Sequence, residues 1–167
     1  MRAFILVLAT ILFAGAASAQ SAPNGAKFGD WTLICKAEGV GETNCYLAQR
    51  IINKESGALI SEVRLTSVDT DAGRKTHMLA FTPDGVELSK RSGYVVDKAT
   101  TQVALHWRSC AQKICRAEAF LTAEQTAALK AGAKMLFGYQ KFRAKKPVVF
   151  PLSLTGVSAG LLALSNS

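Results

Sequence analysis

Residues 28–50 read FGDWTLICKAEGVGETNCYLAQR, and their pattern decides the fold. Trp31, Leu33 and Cys35 fall on one face of an extended chain, with Thr32 and Lys36 on the other. That period of two is the signature of a half-buried strand. The Gly-rich polar stretch AEGVGETN reads as a loop, and CYLAQRII as the returning strand, broken at NKESG. A strand reversal of this kind brings Cys35 and Cys45 together.

The meaning of those thiols depends on compartment. Met1 and Arg2 precede an unbroken apolar or small run, AFILVLATILFAGA, and Ala17–Ala19 supply a small-x-small cleavage pattern. This is the layout of a secretory signal peptide. The run is too short for a membrane span, and no stop-transfer pattern follows it. The expected organisation is a signal peptide over 1–19 and one domain over 20–167, with no integral membrane segment after cleavage. The expected location is periplasmic, secreted or cell-envelope. That oxidising setting and an even count of four cysteines point to a disulfide framework. Three pairings are open. Cys35–Cys45 and Cys110–Cys115 are favoured because each is local, and a long-range tie from Cys35 to Cys110 or Cys115 is the rival. A loop of about ten residues contributes on the order of 2–3 kcal/mol. The C-x9-C and C-x4-C spacings suit neither a redox motif nor a zinc finger or ribbon, so no metal and no cofactor is expected.

The rest of the chain continues as short strands. LISEVRLTSV sets Leu59, Val63 and Leu65 against Ile60, Glu62, Arg64 and Thr66. DTDAGRK and PDG read as turns around the strand THMLAFT, and VELSK and YVVD as short strands. TQVALHWRSC and CRAEAF form a hairpin about AQKI, with Val103, Leu105 and Trp107 opposite Gln102, His106 and Arg108. LTAEQTAALKAG changes period. Thr122 as N-cap with Gln125 predicts a capping box, and Gly132 a left-handed helix end. KMLFGYQKFR and PVVFPLSL return to strand composition, Pro151 marks an edge, and TGVSAGLLAL reads as a short terminal helix. The expected fold class is all-β, an antiparallel β-sandwich with one short connecting helix and a short C-terminal helix.

FGDWTLIC, CYLAQRI, PDGVEL, RSCAQKICRAEAFL, LKAGAKM and FPLSLTGVSAGLLAL occur in that order. The ordered set resembles the invasion-associated locus B family of exported proteobacterial proteins over residues 28–164. The resemblance implies an immunoglobulin-like β-sandwich of the cell envelope, named for a member linked to entry into host red cells. It carries no catalytic residues to transfer. One departure is the basic stretch KFRAKKPV, where a more neutral turn is expected.

The inventory for enzyme chemistry is poor. His77 shares a face with Leu79 and Phe81 and reads as a sheet-edge histidine, and His106 as an exposed cross-strand residue beside Arg108. No nucleophile elbow, zinc-binding helix motif or phosphate loop is present. Asp69 and Asp71 in DTDAG resemble the start of a calcium loop but lack its downstream acids. Paired carboxylates for sugar hydrolysis are visible only in space. Trp31 and Trp107 read as core residues, the alternative being an aromatic platform for a sugar ring.

The formal charge is +8, and about +7 without residues 1–19, since losing Arg2 leaves 19 basic residues against 12 acidic. An exported basic protein favours an anionic lipid, glycan or protein partner rather than nucleic acid. The candidate anion- or partner-binding segment is Lys134, Lys141, Arg143, Lys145 and Lys146, with Arg74 and Lys75, or Lys90 and Arg91, as extensions. Its plainer reading is a solvated turn that keeps an edge strand from pairing. Three functions compete: a non-enzymatic envelope protein that binds a protein or an anionic envelope or host surface, a periplasmic enzyme acting on envelope glycan, and a structural accessory subunit.

Overall fold

The computed structural model describes residues 21–166, so the expected signal peptide over 1–19 lies outside the described residues. The strands are β1 (Lys27–Phe28), β2 (Trp31–Gly39), β3 (Glu42–Ile52), β4 (Leu59–Thr70), β5 (Gly73–Pro83), β6 (Ser92–Val96), β7 (Val103–Ala111), β8 (Ile114–Phe120), β9 (Lys134–Tyr139) and β10 (Val148–Ser153). The helices are α1 (Ala123–Ala131) and α2 (Val157–Ser165). All pairings are antiparallel, in the order β1-β2-β3-β4-β5-β8-β7-β6-β9-β10.

Strand β7 makes this ladder a two-layered sandwich. Val103–Leu105 pair with β6, and His106 onward pairs with β8, with a bulge between Trp107 and Ser109. The partner changes between Leu105 and His106, so the two halves of one strand belong to two layers and the ladder folds back on itself; the bulge adds local bend and twist to the β8-paired half. β6, β9 and β10 then lie across β2–β4. The Trp31 indole donates to the Ser153 carbonyl at 2.9 Å, and the Tyr139 hydroxyl donates to the Ile60 carbonyl. Leu33, Leu47, Val63, Leu65 and Met78 from one layer meet Phe137, Phe150 and Leu152 from the other, all buried. Trp31 is fully buried, whereas Trp107 is only half-buried at the core margin.

The first and last strands are clasped. The Gln49 side chain bonds Ser153 twice, donating to its carbonyl and accepting from its N–H, and Asp30 N–H donates to the Thr155 carbonyl. Gly29 and Gly156 both take positive φ, +57° and +92°. A Cβ on Gly29 would strike the Thr155 carbonyl, and one on Gly156 the Phe28 carbonyl. FGDW and SLTG, far apart in sequence, are thus two halves of one contact. Helix α2 starts there and packs over β1–β4, with Gly160 against Leu47.

Hairpins run further than composition suggests. β2 and β3 turn at Val40–Gly41, and β4 and β5 at Asp71–Ala72, so AEGVGETN and DTDAGRK are mostly strand. Gln112 and Lys113, at φ +49° and +64°, make a two-residue turn that matches the strand twist. VELSK is not a strand: Val86 alone bridges to Lys141, and turns follow. The Thr122 capping box forms as expected. Gly132 does not take the expected left-handed conformation (φ −76°). Glycine is needed there for closeness, because a Cβ would lie 2.5 Å from Val96 Cγ1 and 2.9 Å from Leu154 Cδ1.

Candidate functional site

Cys35–Cys45 and Cys110–Cys115 are disulfide-bonded, each joining directly opposite residues of neighbouring strands. The second braces the β7–β8 tip, where the Lys113 carbonyl accepts from Asp84 N–H. From there the chain enters the end of the molecule where the basic residues gather.

That end is built by two short segments paired as a ribbon. Phe142 N–H donates to the Gly85 carbonyl and Glu87 N–H to the Gln140 carbonyl, each at 2.8 Å, around the buried Val86. The Gln140 amide donates to the carbonyls of Lys141 and Ala144, closing the loop that follows. Arg143 sits in that loop at φ +59°, a conformation uncommon for a non-glycine residue. On the facing side, the Trp107 indole donates to the Lys90 carbonyl at 2.8 Å and fixes the 87–91 turn. Glu87, Lys90, Lys141, Arg143 and Lys145 consequently line one cleft of about 280 Å³. Glu87 is its one carboxylate, and the Ser89 hydroxyl and N–H hold that carboxyl below its usual range. Among the described residues, Lys90, Lys141, Arg143, Lys145 and Lys146 form no ion pair.

Of the segment singled out from sequence, Lys141, Arg143 and Lys145 converge, with Lys146 exposed beside Pro147. Lys134 does not join them. It begins β9, and a six-residue strand separates its ends by about 17 Å. Its backbone N–H instead donates to Asp97. Lys90 joins the group through the turn that Trp107 anchors. Arg74 and Lys75 line a different cleft, with Lys130 of α1, and Arg74 is paired with Asp69 at 2.9 Å. That pairing holds the Asp69 carboxyl down by hydrogen bonding and then by charge.

A second charged surface covers the outer face of the β3-β4-β5-β8-β7 layer, and sequence pattern did not expose it. Glu62 lies between Arg50 (3.0 Å) and Arg64 (2.6 Å). Glu118 lies between Arg108 (2.8 Å) and Arg116 (3.8 Å). The Arg64 guanidinium is also stacked between Tyr46 and Phe81, at 4.5 and 4.2 Å from their ring centres. Register sets Arg50 opposite Glu62, and places His106 opposite Glu118 with Arg108 two residues further on, while Arg64 and Arg116 reach the glutamate two residues along their own strand.

His77 belongs to this face. It is not at a sheet edge, since β5 is flanked by β4 and β8. Its ring stacks on Phe120 at 4.2 Å, and Nε2 is 3.7 Å from Glu118. Burial pushes its pKa down, against the pull of Glu118. His106 is exposed and shares a shallow cleft with Arg108, Glu118 and Gln125. The carboxylate there is already engaged by two guanidinium groups, so the arrangement neutralises charge. Among the described residues, no group of three or more His, Cys, Asp or Glu is placed to hold a metal ion. Nor is any helix there long and apolar enough to cross a membrane.

Two antiparallel layers joined through a shared strand, braced by two cross-strand disulfides and clasped end to end, define an all-β sandwich domain. Residues 31–165 match the family model described as Invasion associated locus B (IalB) protein, and the chain belongs to that family. It is 29% identical over 157 residues to an invasion protein B homolog of Brucella abortus strain 2308, covering 91% of this chain and 88% of that one. A homolog of B. abortus biovar 1 strain 9-941 matches with the same figures. The fold is shared with the crystal structure of invasion associated protein b from Bartonella henselae (TM-score 0.70, 19% identity, 84% of this chain and 95% of that one).

Proposed function

We propose that the protein is an exported, non-enzymatic cell-envelope component that uses its cationic end to hold an anionic surface partner. The observation that carries this reading is the convergence of Lys90, Lys141, Arg143 and Lys145 on one cleft, without a salt-bridging acid. Export is supported by the N-terminal apolar run and by the two disulfides, which belong to oxidising compartments. A role in host-cell interaction is suggested by the names of the Brucella and Bartonella relatives. The decisive experiment measures retention on envelope fractions and on an immobilised sulfated polysaccharide. Reversing Lys141, Arg143, Lys145 and Lys146 to Glu abolishes both if the cationic end is the contact. Unchanged retention by the folded variant rejects it.

A further inference from the structure

The cationic end is not only charged. Phe142 is 57% exposed and Leu88 60% exposed, and each sits in one of the two loops that the Val86–Lys141 bridge holds together. Phe142 lies between Lys141 and Arg143, with the Arg143 guanidinium 5.1 Å from its ring centre. Leu88 lies between Glu87 and Lys90, in the turn pinned by Trp107. Both apolar groups are therefore carried on loops with fixed backbones. Up the adjoining flank, the paired Gly93 and Gly138 floor a trough of about 370 Å³ that is also lined by Leu136, Val149 and Pro147. Lys90 and Arg91 also line this trough.

Resting on the anion-binding reading above, we propose that the partner is an anionic lipid bilayer. Phe142 and Leu88 enter the headgroup–acyl boundary, while Lys90, Lys141, Arg143 and Lys145 contact the phosphates. The physical case has two parts. Exposed apolar side chains gain free energy only where the partner offers an apolar layer, and a soluble polyanion offers none. Basic residues gain it near a negative surface, each changing affinity by about five-fold at modest ionic strength. A bilayer supplies both within a few ångströms. A second copy seated on the same end would set its unpaired cations against these, so self-association there is opposed by charge.

The test is co-sedimentation of the protein with vesicles of phosphatidylcholine plus phosphatidylglycerol, and of phosphatidylcholine alone, beside binding to a soluble sulfated polysaccharide. Unaltered protein is expected to bind the mixed vesicles and not the neutral ones. Phe142→Ser with Leu88→Ser is expected to lower vesicle partitioning by about ten- to a hundred-fold while leaving polysaccharide binding intact. Both side chains are exposed, so an unchanged melting temperature should confirm folding. The emission of a Phe142→Trp variant should shift to the blue on adding the mixed vesicles and not the neutral ones, by more than that of unaltered protein does. Polysaccharide binding without vesicle binding overturns the membrane assignment and leaves the anion reading standing. So does vesicle binding that the double serine variant does not change, since the contact is then charge alone. Loss of both binding activities in the unaltered protein overturns both readings.

Discussion

The two charged surfaces use the same residue types to opposite ends. On the outer face of the main layer, Arg50, Arg64, Arg108 and Arg116 are drawn onto two glutamates, and Arg64 is further held between aromatic rings. Their charge is largely neutralised there, by Arg50 and Arg108 across neighbouring strands and by Arg64 and Arg116 along their own. At the loop end, Lys90, Lys141, Arg143 and Lys145 surround a cleft whose one carboxylate is occupied by Ser89. A count of basic residues does not distinguish these surfaces; the position of the acids does. Where every cation has a partner, removing an acid weakens the fold. Where cations have no salt-bridged acid, as at Lys141, Arg143 and Lys145, removing them takes no ion pair from the fold.

The scale for that comparison is set by a change that touches neither surface. Gly156→Ala puts a Cβ into the Phe28 carbonyl at a positive φ, and should cost at least about 3 kcal/mol in urea unfolding, or prevent folding. On the paired surface, Glu62→Gln and Glu118→Gln should each cost about 1–2 kcal/mol, between the values for exposed and buried pairs. Neither should alter retention on polysaccharide; a loss would mean that the outer face takes part in binding. At the loop end, the quadruple Glu reversal should shift stability by no more than about 0.5 kcal/mol per substitution, yet remove binding. If it unfolds the protein instead, the contrast between the two surfaces fails.

The smallest effect concerns pH. His77 has a folded pKa below its unfolded value near 6.5, because burial disfavours the imidazolium. Its contribution is therefore full above about pH 6.5 and is lost as pH falls through the lower folded value. Unfolding free energy should decline modestly with acidification in that window. His77→Phe, which keeps a ring against Phe120, should flatten that part of the profile. A slope unchanged by the substitution would assign it to other groups.

Much of the fold was legible because it is local. Alternation in FGDWTLIC, the Thr122–Gln125 box, the edge position of Pro151 and the short spans between cysteines each need only a few consecutive residues. What was not legible depends on which strand lies beside which. The double allegiance of β7 comes from a change of partner between Leu105 and His106, and nothing in VALHWRSCA announces it. Glu118 reads as an ordinary outward residue until β5 and β7 bring His77 and Arg108 alongside. At the candidate site, Lys141 to Lys146 were visible as a run. Lys90 was only a candidate extension until the Val86–Lys141 bridge and the Trp107 indole set its turn beside them, and Lys134 left because a strand intervenes. Gly132 shows the same limit: glycine was required, but for the approach of Val96 rather than for a turn.

The clasp between residues 28–31 and 153–156 also sets the order in which the molecule can be completed. A chain delivered from its N-terminus presents the Trp31 indole and Gln49 amide well before their shared acceptor on Ser153 exists. β6 and β9 can cover part of the first sheet earlier, but the indole and the amide find their shared acceptor only when β10 arrives. Removing the chain from residue 153 onward therefore leaves both groups without that partner.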